Sequence, residues 1–233
     1  MTIDLNCDLG EMEGAALAAA LMESITSASI ACGGHAGDDG TMERTARLAL
    51  ARGVRIGAHP GYPDRAHFGR VAMPLHPAEI ERAIGEQIGR LERIVRRLGG
   101  AIAYVKPHGA LYNLAARDNA TAAAIGRAAA QWKPGATLFG LAGSAALELW
   151  RGMGLRAAAE AFADRRYEPD GSLRPRQFPD ALLTDPREAA AQAVRLARAG
   201  GADTICVHAD TPGAAEIARA CRAALAALRF SSC

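Results

Sequence analysis

Seven times along this chain a short apolar run gives way to a polar or glycine-rich elbow, followed in most cases by a longer stretch with apolar residues every three or four positions. This rhythm restricts the fold more than any other feature. Apolar runs buried on both faces belong in a parallel sheet, and parallel strands need helical crossovers. The runs span 3–9, 27–32, 54–59, 101–106, 137–141, 155–162 and 204–208. Helical patterns are clearest over 41–52, 77–98, 119–131, 144–152, 186–199 and 212–228. In the second of these, Ile80, Ile84, Ile88, Leu91, Val95 and Leu98 share one face. Asp185 before Pro186 and Thr211 before Pro212 match a cap residue followed by proline at the first helical position.

A closed barrel and an open doubly wound sheet both satisfy the pattern. No G-x-G-x-x-G follows the first run and no G-x-x-x-x-G-K-[ST] occurs, so neither phosphate-binding signature supports the open sheet. The expectation is a seven-unit parallel (β/α) barrel, one domain over 1–228, with 229–233 as a frayed tail. No linker or low-complexity tract argues for a second domain. With half of its residues hydrophobic and few of them aromatic, the core must be filled by Ala, Leu, Ile and Val.

A net charge of +2 gives no reason to expect nucleic acid or an anionic membrane as partner. Cys7, Cys32, Cys206, Cys221 and Cys233 form no C-x-x-C pair and read as reduced thiols. The N-terminus carries acids where a signal peptide needs a basic segment and a long apolar run. The alanine-rich windows 15–22 and 122–130 are too short to span a bilayer. A cytoplasmic protein is expected.

In parallel barrels, chemistry sits beyond the C-terminal ends of the strands. Asp4, Asn6 and Asp8 alternate with Leu5, Cys7 and Leu9, so period two puts the polar three on one face, inward if the sheet closes. The second run ends in C-G-G-H-A-G-D-D (His35, Asp38, Asp39), the third in A-H-P-G-Y-P-D (His59) and the fourth in V-K-P-H-G (Lys106, His108). The sixth ends in E-A-F-A-D-R-R-Y (Glu160, Asp164, Arg165) and the seventh in V-H-A-D (His208, Asp210). A lone buried His or Asp is more often structural than catalytic. Four of six histidines at one rim favour a site. His67 and His76 lie elsewhere, His76 reading as a first-turn or surface residue. Lys106 is one of only two lysines, in a chain that otherwise uses arginine.

The blocks D-L-N-C-D-L-G-E, S-A-S-I-A-C-G-G-H-A-G-D, I-G-A-H-P-G-Y-P-D, V-K-P-H-G-A-L-Y-N, E-A-F-A-D-R-R-Y and I-C-V-H-A-D, in this order from residue 4 to residue 210, resemble the LamB/YcsF family. The resemblance implies an irregular seven-stranded (β/α) barrel akin to polysaccharide deacetylases. It also implies ATP-driven hydrolysis of the lactam 5-oxo-L-proline to L-glutamate, with ATP (Mg-bound) as co-substrate. Such chains serve as the A subunit of a 5-oxoprolinase and work with its B and C subunits; association with further copies of the chain is left open. Four positions depart from the family pattern: Gly34 for Phe, His67 for Gly, Val71 for Arg and Ala209 for Gly.

Under this resemblance the rim residues take expected roles. Asp8, with Glu11, orients or deprotonates water. Lys106 meets an oxyanion or a phosphate, with His108 as acid/base partner and His59 beside it. Arg165 and Arg70 hold the substrate carboxylate. Glu160 and Asp164 anchor Arg165 or Lys106, Asn6 and His35 contribute to substrate binding, and His208 and Asp210 close the rim. The turn G-L-A-G-S at 140–144 offers a weak phosphate cradle. Two alternatives stand beside this reading. One is a metal-dependent, deacetylase-like amide hydrolase with Asp8, His35 and His59 as ligands, although H-x-x-x-H spacing is missing. The other is a non-catalytic scaffold for the remaining subunits.

Overall fold

A computed structural model describes residues 3–228. The seven apolar runs form strands β1 (Asp4–Leu9), β2 (Ser27–Ala31), β3 (Arg55–His59), β4 (Ile102–Val105), β5 (Thr137–Leu141), β6 (Arg156–Phe162) and β7 (Thr204–His208). They pair in sequence order, all parallel, and β7 returns to β1 to close the barrel. The crossovers carry α1 (Ala15–Met22), α2 (Asp39–Ala51), α3 (Pro77–Arg97), α4 (Gly109–Ala115), α5 (Asn119–Trp132), α6 (Ala145–Gly152) and α7 (Pro186–Arg198), and α8 (Ala214–Ala226) follows β7. None of these helices is long and apolar enough to cross a membrane. The tail at 229–233 lies outside the described residues.

Alternation within each strand builds two cores. Leu5, Cys7 and Leu9 are fully buried under the helices, while Asn6 and Asp8 face the barrel axis with side-chain partners across it. At the lower end Asp4 accepts from the hydroxyls of Thr26, Ser27 and Thr204 and pairs with Arg55 at 3.0 Å. Above this layer Tyr104 crosses the interior. Its ring stacks on Phe139 with centroids 3.9 Å apart and its hydroxyl lies 3.1 Å from Ser29 Oγ. Gly57 makes room for it, since a Cβ there would sit 2.2 Å from the Tyr104 ring. The Tyr104 layer separates a cavity of about 1000 Å³ at the C-terminal mouth from a smaller one of about 380 Å³ at the lower end, beside Asp4, Arg55, Phe139 and Thr204. The β4–β5 seam is held by one register pair, Val105 with Leu138, and the β3–β4 register shifts at Ile56/Gly57.

Of the two caps expected from the sequence, Asp185 holds and Thr211 does not. Asp185 accepts from Arg187 N, with Pro186 in the first turn of α7. His76 is the N-cap of α3 in a reciprocal box with Glu79. Thr211 does not cap α8, which instead begins after Gly213 at φ 78°. The Thr211 hydroxyl donates to Asp164 at 2.6 Å, and that tertiary bond outweighs the local cap. Two helices carry little sequence signal. α1 is nearly all alanine and leucine without a side-chain cap, and α4 is a single short segment after His108.

Candidate active site at the barrel mouth

The elbows after β1, β2 and β4 and the end of β3 bring three imidazoles and a carboxylate together. After β1 the Glu13 carboxylate accepts the amides of Gly10 and Glu11, turning Glu11 back over the barrel. Glu11 Oε1 then lies 2.9 Å from His35 Nε2, 3.3 Å from His108 Nδ1 and 3.7 Å from His59 Nε2. Burial alone would raise the Glu11 carboxyl, but its contacts with His108 and His35 hold it far below the usual range. His59 Nδ1 donates to the Lys106 carbonyl at 2.8 Å, and His108 Nε2 donates to the Phe68 carbonyl at 2.9 Å. Phe68 reaches that position at φ 54°, the one non-glycine residue with positive φ among those described. Gly109 permits the close turn, because a Cβ there would lie 2.7 Å from the Gly69 carbonyl. His35 stacks on His108 at 3.6 Å, and burial pushes its ring down to about 3, so it is neutral.

Directly beneath sits Lys106, 2 % exposed. Its Nζ lies 2.8 Å from Asp8 Oδ1, 2.9 Å from Glu160 Oε1, 3.2 Å from Asn6 Oδ1 and 3.2 Å from Cys206 Sγ. Burial would lower the ammonium, but Asp8 and Glu160 outweigh it and hold its pKa well above the usual lysine value. Likewise burial would raise the Asp8 carboxyl, but His59 and Lys106 keep it well below its usual range. All three ammonium hydrogens thus have acceptors in Asp8, Asn6 and Cys206, with the Glu160 carboxylate as a second ion-pair partner. Asp8 reaches both groups, with Oδ2 3.4 Å from His59 Nε2.

Across the mouth, Asp164 is fully buried and takes three donors: His208 N at 2.8 Å, His208 Nδ1 at 2.9 Å and Thr211 Oγ1 at 2.6 Å. With Nδ1 held there, Nε2 of His208 is left toward the cavity that the ring lines. Burial would raise Asp164, but His208 and Thr211 outweigh it, so its folded pKa lies below the unfolded value. The bond set therefore adds stability above about pH 4 that is lost as pH falls through the folded pKa. Asp164→Asn is expected to cost about 1–3 kcal/mol at neutral pH. The gap in thermal midpoint between variant and wild type should close below about pH 4. A gap that stays constant from pH 7 to 3 would show that the charge of Asp164 does not matter.

The far wall is cationic. Residues 163–185 form an excursion pinned by bridges between Arg165 and Leu182 and between Tyr167 and Leu173. It hangs Arg165 and Arg176 over the mouth. Asp210 ties Arg70 to Arg176, the latter at 3.0 Å. Arg165 is 7 % exposed; its Nη2 donates to the Arg174 carbonyl at 2.8 Å while Nε has no partner among the described residues. Burial, with Arg176 nearby, pushes its pKa down to about 10. Such a guanidinium has donors to spare for an anion. The cavity between this wall and the histidines measures about 1000 Å³, and the 142–144 turn lines one side.

Asp8, Glu11, His59, Lys106, His108 and His208 line that cavity, with Arg70, Arg165 and Asp210 at its outer edge. Asn6, His35, Glu160 and Asp164 do not line it. Asn6 is wholly buried below the mouth, donating to Glu160 and Thr204, so it braces the barrel and is out of reach of a substrate. His35 stands behind Glu11. Glu160 anchors Lys106 as expected, while Asp164 anchors His208, not an arginine. The ligand set Asp8–His35–His59 is not what the fold gathers: Asp8 is drawn to Lys106, and His35 and His59 converge with Glu11 and His108. Nothing in the sequence marks Cys206 or Arg176 as a site residue, Thr211 reads there only as a helix cap, and beyond Tyr167 the 163–185 excursion shows no pattern.

The four departures from the family pattern do not reach the chemistry. Val71 is half exposed, and His67 is exposed and paired with Asp64. Ala209 is absent from the positive-φ positions, so its Cβ brings no strain. At Gly34 a Cβ would meet Gln87 Oε1 at 2.3 Å; that amide latches the Gly61 backbone instead. Cys7, Cys32, Cys206 and Cys221 are free thiols.

A closed parallel barrel with histidines, carboxylates and arginines around one mouth defines a (β/α)-barrel enzyme. The LamB/YcsF family model matches residues 3–232, and the chain belongs to that family. It is 49% identical over 242 residues to the 5-oxoprolinase A subunit of Chloroflexus aggregans, covering 97% of this chain and 96% of that one. It is 48% identical over 241 residues to the 5-oxoprolinase A subunit of Methylococcus capsulatus, covering 97% and 93%. The crystal structure of the lactam utilization protein from Thermus thermophilus superposes with a TM-score of 0.87 at 42% identity, covering 97% and 96%. The catalytic domain of a peptidoglycan N-acetylglucosamine deacetylase from Eubacterium rectale shares the fold, with a TM-score of 0.53 at 8% identity over 97% and 86%.

Proposed function

We propose that this chain is the A subunit of an ATP-dependent 5-oxoprolinase, opening the lactam of 5-oxo-L-proline to L-glutamate at the barrel mouth and working with B and C subunits. The relatives' names support the reaction. The observation that carries the site is one cavity holding acid/base groups on one wall and, on the other, arginines of which Arg165 keeps an unpartnered donor. The substrate is a small ring with one carboxylate and one amide, and those two walls match its two ends.

A lactam is a resonance-stabilised amide and a poor electrophile, which is why ring opening is coupled to ATP hydrolysis, to ADP and phosphate. Water adds hydroxide to the carbonyl carbon, the C–N bond breaks, and the ring nitrogen takes a proton. Arg165, with Arg70 behind it, receives the substrate carboxylate. His208, oriented by Asp164, presents Nε2 for proton transfer, and Asp8 accepts a hydrogen bond from the attacking water. Lys106 has no free hydrogen for an oxyanion; it sets the charge and position of Asp8. ATP is a co-substrate of the assembled enzyme, with the B and C subunits completing its site.

The test is oxoproline-dependent ATP hydrolysis and glutamate release, measured with the chain alone and then with the B and C subunits. Turnover that needs all three and tracks both products supports the assignment; ATP hydrolysis indifferent to oxoproline refutes it. Arg165→Gln should raise KM for oxoproline by about 10-fold or more while kcat changes little, the mark of a lost bond to the carboxylate. An unchanged KM would remove Arg165 from substrate binding.

A further inference from the structure

Three acceptor atoms at the mouth face one another at close range. A backbone carbonyl can only accept, so the 2.8 Å contact to the Lys106 carbonyl places the proton of His59 on Nδ1. The 2.9 Å contact to the Phe68 carbonyl places that of His108 on Nε2. Their other nitrogens, His59 Nε2 and His108 Nδ1, therefore present bare lone pairs only 3.0 Å apart. Glu11 Oε1 stands 3.3 Å from the second and 3.7 Å from the first. Such an arrangement is repulsive unless a cation sits among the three.

The spacing discriminates between a proton and a metal ion. A shared proton explains two nitrogens at 3.0 Å, yet gives no reason for a carboxylate oxygen beyond the roughly 2.7–2.9 Å of a charge-assisted bond. Ligand atoms about 2.0–2.1 Å from a tetrahedral zinc-class ion stand about 3.4 Å from one another. The three observed separations, 3.0, 3.3 and 3.7 Å, bracket that value. Metal-bound histidines also fix their far N–H on a carbonyl or carboxylate, as both do here.

We propose that Glu11, His59 and His108 form a site for one divalent transition-metal cation of the zinc class, with His35 as a positioning residue. His35 Nε2 is 2.9 Å from Glu11 Oε1 while its Nδ1 is buried without a partner among the described residues. The proton accordingly belongs on Nε2, where it holds the Glu11 carboxylate in place. Two histidines and a glutamate leave a fourth position open. Glu11, His59 and His108 all line the cavity, and Asp8 Oδ2 lies 3.4 Å from His59 Nε2, so that position faces the substrate space. This deepens the hydrolytic reading of the same site and rests on it for its purpose, but binding is tested without turnover, so either can fail alone.

The full-length chain, stripped with chelator and dialysed, is titrated with Zn²⁺ by calorimetry and with Co²⁺ by visible absorption, with metal content measured on the same samples. One ion per chain is expected, with a Co²⁺ spectrum of low coordination number. His59→Ala and His108→Ala should each abolish stoichiometric binding, and the conservative Glu11→Gln should do so if the alanine variants fail to fold. His35→Gln should keep the stoichiometry and weaken affinity about 10–100-fold. His67→Ala, at an exposed histidine, should bind as wild type. No saturable binding by the folded wild-type chain overturns the proposal, and so does binding indifferent to both His108→Ala and Glu11→Gln.

Discussion

Lys106→Met should lower the stability of the chain by about 3–5 kcal/mol, because it strands two buried carboxylates that share one ammonium. Asp8 and Glu160 lie 2.8 and 2.9 Å from Nζ, with side chains 7 % and 0 % exposed. At about 2–4 °C per kcal/mol for a chain of this size, the thermal midpoint should fall by roughly 6–20 °C. Arginine is no substitute, since a planar fork cannot take the place of a compact ammonium among Asp8, Glu160 and Asn6. The cause can be isolated with a cycle. If stranded charge is what costs, Lys106→Met should cost at least about 1 kcal/mol less in a Glu160→Gln background, where one carboxylate is already neutral. A lysine whose main task is to meet an oxyanion predicts another result: lost turnover with a nearly unchanged midpoint. That outcome would falsify the keystone role that the geometry gives it.

Why this lysine stands where arginine is otherwise preferred is half legible in the sequence. Its place at the end of a strand, beside His108, can be read locally. Its partners cannot, because Asp8 on β1 and Glu160 on β6 are brought near each other by β7, and only barrel closure sets both across the axis from the end of β4. The same division runs through the molecule. Continuous apolar runs announce all seven strands, and period two correctly turns Asn6 and Asp8 inward. What period two cannot give is depth along the axis, so Asn6 is expected at the substrate and lies below it. α1 leaves no mark because an alanine-rich stretch is apolar on every side and lacks a cap, so there is no periodicity to detect. The 163–185 excursion has two isolated bridges and no repeating pattern, yet it supplies the arginine wall. Glu11 reads as an auxiliary to Asp8; only the turn fixed by Glu13 shows it at the centre of the histidines.

His208→Gln should reduce kcat of the assembled enzyme by about 10²–10⁴, the usual contribution of a positioned acid/base group, with little change in KM for oxoproline. The expected loss follows from an orientation. Asp164 is fully buried and holds both the backbone amide and Nδ1 of His208, so the tautomer is fixed and Nε2 is the atom left for the cavity. Replacing the His208 ring removes one of three donors to Asp164 and keeps the backbone and Thr211 bonds, so the thermal midpoint should fall no further than in Asp164→Asn and less than in Lys106→Met. This separates the effect from that of Lys106→Met. Asp164→Asn should lose a comparable share of kcat at neutral pH, since an amide can offer its nitrogen to Nδ1 and favour the wrong tautomer. If the two act as one unit, the double variant should be little worse than the weaker single one. Multiplicative losses in the double variant would mean that Asp164 does not work through His208. A His208→Gln enzyme within a few-fold of wild-type kcat would move proton transfer to the His59–His108 side of the mouth.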